Sequence, residues 1–188
     1  LPRLTPQEHK AGLSQLADLL RNAWDDAIFL GNGATAINFA YALNGYMWED
    51  FPTFAWPAHP RVIWLAESEW AKRCKKPVII IVNVRSHGLS PDDERFWQAM
   101  RYATGICLLG EHLYVMFNWG SGGSPHWATN WWFDEWSGEL GEPVGGRYQL
   151  KDGVWARKFT NGIVLVNTTG KPKTVTAREL DDVYYLSL

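Results

Sequence analysis

The chain has 188 residues, with 18 basic and 20 acidic side chains and a formal net charge of −2. That length builds one ordinary domain or a compact domain with a small appendage; a complete (β/α)8 barrel with an extra domain does not fit, since the barrel alone takes roughly 200–250 residues. The balanced charge, with no basic run longer than Lys72-Arg73 and Lys75-Lys76, excludes the basic patch of a nucleic-acid binder, and no apolar run reaches the roughly 18–20 residues of a membrane span.

Tryptophan is abundant, 12 of 188 residues. Indoles are large and need a partner for their N–H when buried, so twelve exceed the needs of a core alone. Several are therefore expected to line an open groove, where flat rings stack on the C–H faces of sugars. Cys74 and Cys107 form no disulfide framework. The five histidines (His9, His59, His87, His112, His126) lack metal-ligand spacing, and Gly120-Ser121-Gly122-Gly123-Ser124 lacks the Lys-Ser/Thr of a phosphate-binding loop. Nothing in the sequence points to a metal or a cofactor.

In chain order, Thr5-Pro6-Gln7-Glu8 predicts a capping box with Pro in the first turn. It opens a helix to about Trp24 that carries Leu13, Leu16, Ala17, Leu19, Leu20 and Ala23 at helical spacing. Ala27 to Leu30 reads as a short apolar strand. A helical segment over 35–43 precedes a second strand, Gly45-Tyr46-Met47-Trp48, which ends in Glu49-Asp50. A Pro- and aromatic-rich loop leads to a helix over 61–75. The β-branched run 77–84 is the clearest strand and reads as buried on both faces. Ser90-Pro91-Asp92-Asp93 caps a helix reaching about Leu109, and 112–117 is the fourth strand. Strand–helix alternation of this kind predicts βα units with right-handed crossovers. After a Gly-, Ser- and Trp-rich stretch, Val154–Phe159 and Ile163–Asn167 flank Asn161-Gly162, a strong hairpin signal. Thr174–Thr176 and Val183–Leu186 are expected to complete a small antiparallel module.

Asp134-Glu135-Trp136-Ser137-Gly138-Glu139-Leu140-Gly141-Glu142-Pro143, followed by the run from Val154 to Thr169, resembles the tail of the hypothetical glycosyl-hydrolase families. There an Asp-Glu, a Leu-Gly-x-Pro turn, an Arg-x-Phe strand and an Asn-Gly-hydrophobic-Val-Leu-Val-Asn-Pro segment close a barrel and open a β-domain. Thr168 stands where Pro is usual, which is expected to loosen one turn. Gly45–Phe51 and Leu108–Tyr114 are similar to the family's acidic-ended strand and its last helix-to-strand junction. The resemblance implies an α/β fold: half of a (β/α)8 TIM-type barrel, about four βα units over residues 1–146, and an antiparallel β-module over 147–188.

Glycoside hydrolysis uses two carboxyl groups flanking the bond, and in such barrels they sit at the carboxyl ends of strands. Glu49 fits that position, and its aromatic neighbours Trp48, Phe51, Phe54 and Trp56 suggest an apolar setting suited to a general acid; the competing role is a cap or a partner for a surface Arg. Asp50 is the alternative, facing the other way if the strand continues. The other strand ends carry Asn32, Asn83 with Arg85, and Asn118, groups suited to sugar hydroxyls. A second acid is harder to find: Glu135, beside Asp134, either reaches the mouth or caps a short helix. Trp48, Trp119, Trp131 and Trp132 are candidate sugar platforms, or else a cluster sealing the barrel against the β-module. These features lead to the expectation of an endo-acting glycosidase on a β-linked polysaccharide such as cellulose, extracellular if so, its site completed in a homodimer. The competing expectations are a non-catalytic carbohydrate-binding protein and a fragment of a larger hydrolase.

Overall fold

A computed structural model describes residues 4–49, 51, 60–119 and 129–180. Helix α1 (Pro6–Ala23) starts as expected: the Glu8 N–H donates to the Thr5 hydroxyl at 3.2 Å, and the Thr5 N–H donates to the Glu8 carboxylate at 2.8 Å. None of its residues is fully buried, and Leu16 and Leu19 are exposed. It is fastened at its last turn, where Arg21 donates to the carbonyls of Asp25, Ala27 and Ala42 and to Asn44 Oδ1.

Four parallel strands follow, β1 (Leu30–Asn32), β2 (Gly45–Glu49), β3 (Ile79–Arg85) and β4 (Leu113–Trp119), in the spatial order of the sequence. A short antiparallel strand, β5 (Thr129–Asn130), pairs only with Asn118 and Trp119 at the carboxyl end of β4. A 3-10 helix, Ala34–Ala42, joins β1 to β2, and helices α2 (Pro60–Ala71) and α3 (Glu94–Leu108) precede β3 and β4. β1 begins three residues later than expected, because residues 27–29 hold the Arg21 and Asn44 contacts instead of pairing.

Alternation along β3 defines two faces. Ile80, Val82 and Val84 are completely buried against the helices, while Ile79, Ile81, Asn83 and Arg85 point the other way. On α3, Phe96, Met100, Ala103 and Ile106 make the matching buried stripe, and Trp70 of α2 stacks on Tyr46 of β2 at 4.2 Å. The β3 strand is thus apolar on its helix side and only half-buried at Ile79 and Ile81 on the other, which departs from the expectation of burial on both faces.

The second sheet is antiparallel, β6 (Tyr148–Lys151), β7 (Val154–Phe159) and β8 (Gly162–Asn167). It packs on the outer side of the helices. Gly105 of α3 admits Val166, since a Cβ there would stand 2.7 Å from its Cγ2, and Trp155 meets Trp64 edge-on at 5.0 Å. The architecture is a helix layer between two sheets; on the far face of the parallel sheet Met47, Ile79, Ile81 and Met116 are partly exposed. Strand β6 was not expected. Thr174–Thr176 do not form a strand: the Thr176 N–H donates to Glu179 at 2.7 Å and the Glu179 N–H donates back to the Thr176 hydroxyl, a capping box that starts a helical turn at residue 177. Val183–Leu186 lie outside the described residues. Thr168 closes its turn instead of loosening it, because its N–H, which Pro would lack, donates to the Gly153 carbonyl at 2.7 Å.

Candidate active site

The carboxyl ends of the parallel strands gather a polar row on that far face. Pairing sets Glu49 beside Asn83 and Arg85 beside Asn118. Asn32 ends β1 on the neighbouring strand. Glu49 stands between two donors: its Oε1 lies 3.5 Å from Asn32 Nδ2 and its Oε2 lies 3.7 Å from an Arg85 guanidinium nitrogen. Both contacts are at or beyond the outer limit of a hydrogen bond. They place a positive group and an amide beside the carboxylate without consuming its lone pairs, and its side chain is 42% exposed.

The described neighbours of Glu49 are polar, where an apolar setting was expected from the aromatic residues nearby in sequence. Trp48 and Phe51 pack on the helix side with Tyr46, at ring distances of about 6 Å, and adjacent strand residues cannot share a face. Trp48 is therefore no companion of Glu49. Phe54, Trp56 and Asp50 lie outside the described residues, as does the side chain of Trp119.

Asn83 and Asn118 are both buried, 3% and 8% exposed, and the Oδ1 atom of each is shielded and without a hydrogen-bond partner. Below them the same face turns apolar and half-exposed: Met47, Ile79, Ile81 and Met116, with Leu30 and Tyr114 more open. Glu49 is the sole acid that β1 to β4 carry.

The remaining candidates lie elsewhere. Glu135 sits in the first turn of a short 3-10 helix, Asp134–Ser137. Its carboxylate takes two contacts at 3.1 Å from Nε of Arg101 on α3, and that guanidinium holds it below the ordinary carboxylate range. It is engaged on the helix layer and is not brought to Glu49. Trp131 is half-buried in an aromatic cluster, stacked on Phe133 at 6.0 Å and edge-on to Phe96 at 6.0 Å. Trp132 is 66% exposed, with its indole N–H on the Ser137 hydroxyl at 3.2 Å. It borders a groove of about 650 Å³ along the free edge of β4, lined also by Leu113, Val115, Trp136 and Val164.

One buried carboxylate escaped the sequence reading. Glu67 of α2 is 3% exposed and accepts the N–H groups of Glu111 and His112, both at 2.6 Å, while Arg147 lies 3.5 Å away. It holds the turn into β4. Its position on the inner stripe of α2, one turn after Ile63 and Trp64, was the available signal. Among the described residues, no group of three or more His, Cys, Asp or Glu side chains is placed to hold a metal ion, and no helix is long and apolar enough to cross a membrane.

The family model for hypothetical glycosyl hydrolase family 15 matches residues 3–163. The chain belongs to that family. The match takes in the whole parallel sheet with its polar row and runs on through β7 into the start of β8. Family membership supports a glycosidase-type function and leaves the sugar open. No curated protein matches the chain.

Proposed function

We propose that this family member is a glycosidase whose described portion supplies one of two catalytic carboxyl groups, Glu49. The observation that carries the reading is the placement of Glu49 at the carboxyl end of a parallel strand, between Asn32 and Arg85, in a chain of a glycosyl hydrolase family. In barrel enzymes chemistry concentrates at that end of the sheet. A carboxylate with two donors beside it and free lone pairs suits a nucleophile or base more than a proton donor. The four parallel strands are read as half of a barrel, and the second carboxyl group as arriving with the half that covers this face. In this reading a second copy brings its own Glu49. The part-exposed, part-apolar face suits an extended β-linked polysaccharide such as cellulose.

The test is reducing-sugar release from a β-glucan by the purified protein and by Glu49→Gln. Release is expected from the parent, and the variant is expected to lose about a thousandfold or more while remaining folded. Background release from both would overturn the enzymatic reading. A second reading, sugar binding without cleavage, is favoured by Glu49 being the sole acid within the four described parallel strands. It predicts quenching of Trp fluorescence by oligosaccharides without turnover.

A further inference from the structure

We propose that Arg147 binds a carboxylate group in a cavity remote from Glu49. The proposal stands independently of the Glu49 reading. The cavity, about 620 Å³, lies between α2, the turn into β4 and the antiparallel sheet, and is lined by Arg61, Trp64, Ser68, Glu111, Arg147 and Trp155 among others. Glu111 precedes β4 whereas Glu49 ends β2, so the two sites sit at opposite ends of the parallel strands. The Arg147 guanidinium lies over the Trp64 ring, 4.7 Å from its centroid. Its Nη1 donates to the Leu109 carbonyl at 3.4 Å and stands 3.5 Å from Glu67 Oε2. Among the described residues, its Nε and Nη2 meet no acceptor. The side chain is 23% exposed and neither of these nitrogens is shielded, so both are open to a ligand in the cavity. A guanidinium offers such a pair of donors in a planar fork that matches the two oxygens of a carboxylate.

The charges around the cavity favour an anion. Arg157 is buried and donates to the carbonyls of Gly145, Leu108 and Gly110, so its own charge meets dipoles and no carboxylate. Two guanidinium groups thus share one buried acid, Glu67, although buried charges are ordinarily paired. Burial pulls the Arg147 pKa below its ordinary value; Glu67 and Glu111 oppose that, and Arg157 adds to it. At the rim the exposed Arg61 and Glu111 offset each other. One carboxylate supplies the single missing charge, whereas a doubly charged phosphate would overshoot it in the presence of Glu67 and Glu111. The cavity is larger than a carboxylate needs. Ser68 Oγ donates to the Trp64 carbonyl at 3.1 Å, which leaves its oxygen able to accept from a hydroxyl. A uronic-acid sugar brings both groups; a small free organic acid brings the carboxylate alone.

The experiment is titration calorimetry on the purified chain with four probes: digalacturonate, its dimethyl ester, acetate and inorganic phosphate. Digalacturonate is expected to bind and its ester to bind far more weakly. Arg147→Lys keeps a cation for Glu67 but lacks the planar fork, and should weaken digalacturonate roughly tenfold. Glu111→Gln removes a repelling charge at the rim and should tighten it roughly threefold. Glu111 serves the turn through its backbone N–H, so that substitution spares the fold and decides alone if Arg147→Lys does not fold. A preference for digalacturonate over acetate of about tenfold or more assigns the site to an acidic sugar; equal affinities assign it to a small organic acid, and both outcomes uphold the carboxylate site. An ester bound as well as the acid, phosphate bound more tightly than either carboxylate, or affinity that ignores the substitutions would overturn the proposal. So would the absence of binding by both carboxylates at about 10 mM.

Discussion

Glu67 and Glu49 show how burial divides the work of two glutamates. Glu67 is closed off and engaged: its Oε1 accepts two backbone N–H groups at 2.6 Å, and the Arg147 guanidinium lies 3.5 Å from its Oε2. Arg147 is itself half-buried over the Trp64 ring at 4.7 Å, and burial pulls its pKa below the ordinary value while Glu67 and Glu111 oppose that. Glu67→Ala would leave a part-buried guanidinium and two N–H groups without their acceptor. A loss of about 3 kcal/mol is expected, read as a fall of roughly 10 °C in unfolding temperature for a chain of this size. Glu67→Gln keeps the acceptor oxygen and should lose about a third of that, since the geometry survives and the charge alone is removed. Equal losses in the two variants would mean that the ion pair, and not the turn, sets the contribution. Glu49 has the opposite character, exposed and loosely contacted, so its replacement should change activity and leave the melting temperature alone.

At the scale of elements, the β2–β3 pair fixes where the polar row falls. β2 begins at Gly45, whose φ is 154°, and a Cβ there would stand 1.7 Å from the Ile79 carbonyl oxygen. The close approach of the two strands is thus set by a missing side chain, and the register that puts Glu49 beside Asn83 starts from the Gly45–Ile79 pair. Gly45→Ala is expected to lose about 3 kcal/mol or to misfold, because the clash is with backbone and no rotamer relieves it; chemical denaturation with a midpoint near the parent's would contradict that. The β-branched run and the acidic end of the Gly45 strand made these two strands readable from sequence, and the Thr5–Glu8 box made α1 readable. The same sequence pattern offered Trp48 and Glu49 together as site residues, although neighbours on a strand face opposite ways. It could not separate Trp131 from Trp132, because in irregular chain only tertiary packing decides which indole joins the Phe96–Phe133 cluster. At Thr174–Thr176 β-propensity competed with the Thr-x-x-Glu spacing, and the cap won, because two reciprocal hydrogen bonds form locally.

At the scale of the whole molecule, the parallel sheet is covered unevenly among the described residues. The helix side is closed by α2, α3 and, beyond them, the antiparallel sheet. The other side exposes Tyr114 by 54% and leaves Leu30, Met47, Ile79, Ile81 and Met116 partly open. Its edges are β1, with three residues, and β4, which β5 caps only at Asn118 and Trp119. Open edges and apolar faces favour association. A twofold partner that sets β1 of one copy against the free stretch of β4 of the other would cover both faces at once and oppose the two Glu49 side chains. Light scattering at tens of micromolar is therefore expected to give the mass of a dimer, and Tyr114→Asp, exposed enough to spare the monomer fold, to give a monomer without hydrolytic activity. If both carboxylates serve one shared site, refolding an equal mixture of parent and Glu49→Gln should return about a quarter of the parent's activity, the statistical share of unmixed parent dimers. About half would mean that each copy works alone. A parent that is monomeric and inactive would assign the covering half to a larger hydrolase, with this chain contributing Glu49 and the polar row to a site it does not complete.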